Sequence, residues 1–219
     1  MNTLLWYWEI TWDYIYEMLP CMVLAAAAFF LLRPMRRFRL GRMNLSSSIW
    51  REGAMLVFVL FCAGLAALTV FPAGFWGGLM HGYLPEAGWF GWHGYGMYLQ
   101  VTILAELLEG RKWGIYMLLG NVVMFLPLGF FPALLWRHPR WWRSVLAAGG
   151  VSLFIEIVQI FVGRSSDIND LILNTLGGLA GYVLYRFLAR LAPKFTRKFQ
   201  VEVPYGRDSG DSAAPCRAK

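Results

Sequence analysis

Glu156 and Gln159 sit inside the apolar run SLFIEIVQIFV, and Arg164, Asp167, Asp170 and Asn174 follow in GRSSDINDLILNTLGG before the chain turns apolar again. A carboxylate in hydrocarbon costs about 2.5–3.5 kcal/mol on insertion scales, so a membrane chain that carries one is expected to give it a partner or a task. Glu156 is either held neutral by desolvation or ionised against Arg164 or a cationic group on a ligand. Three chemistries fit these residue types. In an enzyme acting on a lipid headgroup, Glu156 or Asp170 serves as general acid or base, Arg164 meets developing negative charge, and Ser165 or Ser166 is the nearest hydroxyl nucleophile. In a transporter, Glu156 is a protonatable switch. In a binding protein, the same groups hold the polar head of an amphiphile.

Spacing gathers these residues onto helical faces. Gly149, Ser152, Glu156, Gln159 and Gly163 follow at intervals of 3, 4, 3 and 4, and Asp170, Asn174, Gly177 and Gly181 at 4, 3 and 4, which puts each set on one side of a helix. Gly177, Gly178 and Gly181 suit close helix packing, within the chain or in a homodimer. At about 1.5 Å per residue, Glu156 lies about 12 Å from Arg164, Asn121 about as far from Trp113, and Asn174, shallower, about 6 Å below Asp170. Asn121 on the preceding helix joins the same half of the membrane. Each group also has a plainer use: Asp167-x-x-Asp170 has the form of a helix-capping box, and Asn121 and Asn174 suit interhelical hydrogen bonding.

The elements that must position them are membrane spans. With 58% hydrophobic residues, 17% aromatics and a positive mean hydropathy over 219 residues, the chain is more apolar than soluble domains, which run at about 45–50%. Crossing the hydrocarbon core takes about 20 apolar residues. Five stretches qualify: Tyr14–Leu32, Ile49–Phe71, Trp113–Trp136, Ser144–Val162 and Leu171–Leu191. The expected fold is therefore an all-α polytopic membrane bundle of five transmembrane helices. Of 20 Lys and Arg, Arg111, Lys112 and Arg164 fall on one side of this layout and the other 17 on the opposite side, which predicts an N-terminus outside and a cytoplasmic C-terminus. This distribution assigns the net charge of +7 to membrane orientation, not to nucleic acid. Trp6, Trp8, Trp12, Trp113, Trp136, Trp141 and Trp142 fall at span ends, where indoles anchor in the headgroup layer.

Phe71 to Lys112 is an external segment rich in glycine and aromatics, too apolar for a free loop and too broken for a span. It is expected to lie in the interface or re-enter the membrane, with a surface helix at Leu99–Leu108. His81, Glu86 and His93 match no metal-ligand spacing, so no metal and no cofactor is expected. No disulfide is expected from Cys21, Cys62 and Cys216. Acidic Glu9, Asp13 and Glu17 precede the first apolar run, unlike a cleaved secretory signal. The chain divides into 1–98 (two helices and the aromatic loop), 99–191 (a three-helix core) and 192–219 (a cytoplasmic tail expected to be disordered).

GNVVMFLPLGFFPALL (Gly120–Leu135) and IEIVQIFVGRSSDINDLILNTLGGLAGY (Ile155–Tyr182) closely resemble the VanZ-like family of bacterial membrane proteins. The likeness runs over about residues 99–190. It singles out Asn121, Phe125, Pro127, Gly129, Glu156, Gln159, Arg164, Asp167, Asp170, Asn174, Gly177, Gly178 and Gly181. Where relatives usually carry an Asn-x-x-Pro-Phe-like stretch ahead of the third helix, this chain has YLQVTILAELL (Tyr98–Leu108). The resemblance implies a multi-pass protein of the bacterial cytoplasmic membrane, linked to low-level resistance to teicoplanin, a lipid-tailed glycopeptide. Its expected ligand is the lipoglycopeptide or a lipid-linked cell-wall precursor at the outer leaflet, held by Asn121, Glu156, Gln159, Arg164, Asp167, Asp170 and Asn174; in the enzyme reading the group modified is a lipid headgroup or the antibiotic.

Overall fold

Helix-forming apolar sequence builds α1 (Thr3–Leu31), and Pro34 then occupies the first turn of α2 (Arg33–Arg42), where a missing N–H is harmless. The computed structural model describes residues 3–72, 74–83, 97–98, 112–136, 139–162 and 166–201. Ser48 caps α3 (Ile49–Thr69) by accepting the Arg51 backbone N–H at 3.2 Å. Gly74, in the left-handed region at φ 73°, opens the short α4 (Phe75–Met80). After β1 (Met97–Tyr98) come α5 (Lys112–Leu135), α6 (Trp141–Phe161), β2 (Ser166–Asp167), α7 (Ile168–Leu191) and α8 (Pro193–Arg197).

Five helices are long and apolar enough to cross a membrane: the windows are Tyr14–Leu31, Ile49–Thr69, Leu118–Leu135, Trp141–Phe161 and Ile168–Leu191. Their apolar side chains mostly face away from the protein; Val23, Leu24, Val57, Leu146 and Val183 are all more than half exposed. A surface of that kind is stable only against lipid. Trp136, Trp141 and Trp142 are exposed at span ends, as headgroup anchors require.

The core is a trio of α5, α6 and α7 with backbones in contact. A Cβ on Gly177 would strike the Val122 carbonyl, one on Gly181 the Leu126 carbonyl, and one on Gly129 the Gly178 carbonyl. Because 122 meets 177 and 126 meets 181, α5 and α7 run parallel. On the other flank Gly178 abuts Ala148 and Gly149 faces Thr175, so α6 runs antiparallel to α7. The Gly177/Gly181 face is thus filled by α5 of the same chain and is not available for a homodimer. Phe125, Leu128, Ala148, Ile155 and Leu65 form the buried apolar cluster. α3 joins it through Phe58, stacked on Phe131 at 5.5 Å, and α1 packs on α3, where Gly64 meets Met18.

Three details differ from the sequence reading. α2 was not expected, because a basic stretch carries no burial signal; Arg, Leu and Met nevertheless favour helix. α6 and α7 each begin three residues earlier than the expected spans, at Trp141 and Ile168. Residues 192–201, assigned to the disordered tail on composition, carry α8 and dock: Thr196 is buried and Phe199 packs edge-on against Trp50 at 6.2 Å. The remainder of the tail, Leu99–Leu108, Glu86 and His93 lie outside the described residues. Backbone pairing of β1 with β2 is parallel, Met97 with Ser166 and Tyr98 with Asp167, and is the one sheet element among the described residues.

Candidate functional site

Two polar layers cross the three-helix core near the end that holds Phe161 and Ile168. In the inner layer the Asn174 Nδ2 donates to Ser152 Oγ at 2.9 Å, which fixes the register of antiparallel α6 and α7. Four residues outward on each helix, about 6 Å, stand Glu156 and Asp170. Asp170 accepts a hydrogen bond from Asn121 Nδ2, and so α5 enters the same outer layer. Asn121 with Asp170 and Ser152 with Asn174 are thus two hydrogen-bonded pairs supplied by three helices, and Glu156 is buried on the Ser152 face of α6 one turn outward.

Burial separates this group from lipid. Ser152 is 0%, Glu156 2% and Asn174 5% exposed. The second polar atom of Asn174, Oδ1, is buried without a hydrogen-bond partner among the described residues. An unmet buried acceptor of this sort costs about 1–3 kcal/mol, which a donor arriving from water or a ligand would relieve. Directly inward the space closes, because Gly178 lies between Ala148 and Gly129 with no room for a methyl group, and Phe125 and Leu128 are buried alongside.

Gln159, three residues outward from Glu156, is partly exposed and forms the rim of α6. Asp167 directly precedes α7 and Asp170 is its third residue, the backbone positions of a capping box; the carboxylate of Asp170 is nevertheless turned to Asn121. Arg164, Ser165 and the side chains of Ser166 and Asp167 lie outside the described residues. The expected depths need one correction. Asn174 is not shallower than Glu156: it bonds to Ser152, a full turn further inward, so Asp170 lies deeper than the outer end at which it was expected.

Ser152 lies on the polar face of α6 in the sequence, but its role as the partner of Asn174 was not read there; a small hydroxyl one turn below a buried carboxylate is the signal. Asn169 is also buried, at the start of α7; it stands between two aspartates in capping positions, and its residue type alone carries no burial signal. Chemically the group is rich in acceptors: two carboxylates, the free amide oxygen of Asn174 and the Ser152 hydroxyl. It suits a head that presents hydroxyl, amide N–H or ammonium donors.

No match was found among curated proteins or among solved structures. The model of a family described as VanZ/LLP1 matches residues 58–189, from the middle of α3 to the end of α7, a longer span than the motifs from residue 99 onward had indicated. The match covers more than half of the chain and takes in the whole polar group, so this multi-pass membrane protein belongs to the VanZ/LLP1 family.

Proposed function

We propose that the protein is a recognition protein of the bacterial cytoplasmic membrane, which binds the polar head of an amphiphile through Asn121, Glu156, Gln159, Arg164, Asp167, Asp170 and Asn174. The observation that carries this reading is the buried, unmet Asn174 oxygen one layer beneath a 2%-exposed glutamate. The Asn174 oxygen, kept out of lipid and without a donor among the described residues, is costly unless one arrives. The positive-inside rule orients the N-terminus outside and the C-terminus in the cytoplasm, so the layers open toward the outer leaflet. The pairing of residues 97–98 with 166–167 brings that short piece of backbone to the start of α7.

Ligands of this description at that surface are teicoplanin-type lipoglycopeptides and lipid-linked cell-wall precursors, and capture of either yields low-level resistance. Contact between Gly178, Ala148 and Gly129 below the inner layer favours a blind pocket over a transport path. The test is expression of wild type and Glu156→Gln in a susceptible host, with inhibition by teicoplanin and vancomycin measured side by side. Protection against teicoplanin that disappears in the variant, at equal membrane abundance, supports recognition; equal protection by both removes Glu156 from the function.

A further inference from the structure

At the opposite end of the bundle an apolar groove of about 540 Å³ separates α3 from the three-helix core. Its walls include Gly53, Val57, Phe131, Leu188, Phe195 and Phe199, and a Cβ on Gly53 would meet nothing within 4 Å. The volume lies within the range of about 300–1,000 Å³ typical of sites for small ligands. α8 and the residues after it form the lip. Ser48 Oγ donates to the Lys198 carbonyl, and the Lys198 ammonium sits 5.4 Å from the ring centre of Trp50, itself a wall of the groove. Lys194, Arg197 and Lys198 are exposed at that lip, with Arg190 one turn before it on α7. Glu52, the one acidic side chain among the described residues at this end, is already paired with Arg36 at 3.2 Å.

We infer that this groove is a binding site for an anionic glycerophospholipid, separate from the polar group at the other end. One acyl chain lies along Val57, Phe131 and Leu188, and the phosphate sits at Lys194 and Lys198. Two features select this occupant. An apolar cleft open to hydrocarbon admits a chain, not water, and a basic lip with no acidic partner among the described residues draws anionic over zwitterionic headgroups. The proposed orientation places the site in the cytoplasmic leaflet, where basic residues concentrate.

The test uses the full chain in lipid nanodiscs containing equal phosphatidylglycerol and phosphatidylcholine with the same acyl chains, released into detergent and weighed by native mass spectrometry. Wild type is expected to retain phosphatidylglycerol over phosphatidylcholine by on the order of tenfold. Lys194→Ala with Lys198→Ala, both exposed, should bring that ratio close to one, and Gly53→Trp, which fills the groove, should lose both lipids while circular dichroism stays unchanged. A wild-type ratio of one, an unchanged ratio in the double variant, or a wild type that carries a second copy of the chain in place of lipid would each overturn the assignment.

Discussion

Asn174 donates its amide hydrogen to Ser152 at 2.9 Å, and its oxygen is buried without a hydrogen-bond partner among the described residues. One side chain thus does two things: it pins α7 to α6 and presents an acceptor to whatever enters from the Glu156 layer. The two roles respond differently to substitution.

Ser152→Ala removes the hydrogen-bond acceptor from a site with 0% exposure and strands both polar ends of Asn174. Interhelical hydrogen bonds in membranes average about 0.6 kcal/mol, and a stranded buried group adds about 1–3 kcal/mol. Ser152→Ala should therefore destabilise more than Ser152→Ala combined with Asn174→Leu, which deletes the bond and the orphaned groups together. Unfolding in mixed micelles checks this ordering; a double variant that is the sum of its singles would mean the two residues are not coupled.

Glycines divide into two groups by what stands before them. Gly129→Ala, Gly177→Ala and Gly181→Ala each drive a methyl into a carbonyl of the facing helix, where neither backbone can yield without parting the helices. Overpacking of this kind costs about 1–3 kcal/mol. Gly120→Ala and Gly150→Ala, with nothing within 4 Å, should instead gain up to about 1 kcal/mol from helix propensity. Thermal melts of the five variants in one detergent give the comparison, and a stable Gly181→Ala would contradict the backbone contact between α5 and α7.

Much of this was legible in the residues themselves. Five apolar runs announced five spans, and the intervals of three and four put Glu156 and Asn174 on the faces they occupy. Intervals along one helix cannot give the register between helices; the Asn174–Ser152 hydrogen bond sets Asn174 a turn inward of Glu156, where depths counted separately along each helix had set it outward. Nor does periodicity report partners made through small groups. Ser152 contributes little to any hydrophobic count, yet its hydroxyl is what sets α6 against α7. The docking of α8 depends on Trp50, some 150 positions earlier, a relation that local composition has no means to express.

Asn121 and Asp170 give a third expectation. Their hydrogen bond joins α5 to the first turn of α7, where a negative charge also meets the favourable end of the helix dipole. Asp170→Asn keeps shape and bonding capacity but removes charge, whereas Asn121→Ala keeps charge and removes the donor. If the outer layer recognises a donor-rich head, Asp170→Asn should reduce teicoplanin protection while costing no more than the dipole term of about 0.3–1 kcal/mol in stability, and Asn121→Ala should lower both, with the larger loss of stability. Inhibition assays beside melts separate the two; loss of stability in Asp170→Asn equal to that in Asn121→Ala would assign Asp170 to helix capping alone.

Arg36 organises the corner between α1, α2 and α3. Its Nη1 donates to the Phe29 carbonyl at 2.7 Å, its Nη2 pairs with Glu52 at 3.2 Å, and its guanidinium lies 3.9 Å above the Phe29 ring. Glu52 is further held by Ser47, whose hydroxyl donates at 2.8 Å. With side-chain exposures of 21% and 14% the pair is shielded enough to matter, and hydrogen bonds to charged groups contribute about 1.5–3 kcal/mol each. Arg36→Gln should therefore cost about 2 kcal/mol and leave Glu52 short of its counter-ion. Arg36→Lys keeps the charge but has no planar fork with which to reach a carbonyl and a carboxylate at once, so it should recover less than half of that loss. Because the corner lies at the basic end, far from Glu156, both variants should still protect against teicoplanin once corrected for the amount of folded protein. Melting curves with and without added salt test the energetic part, and an Arg36→Lys protein as stable as wild type would show that charge alone holds the corner.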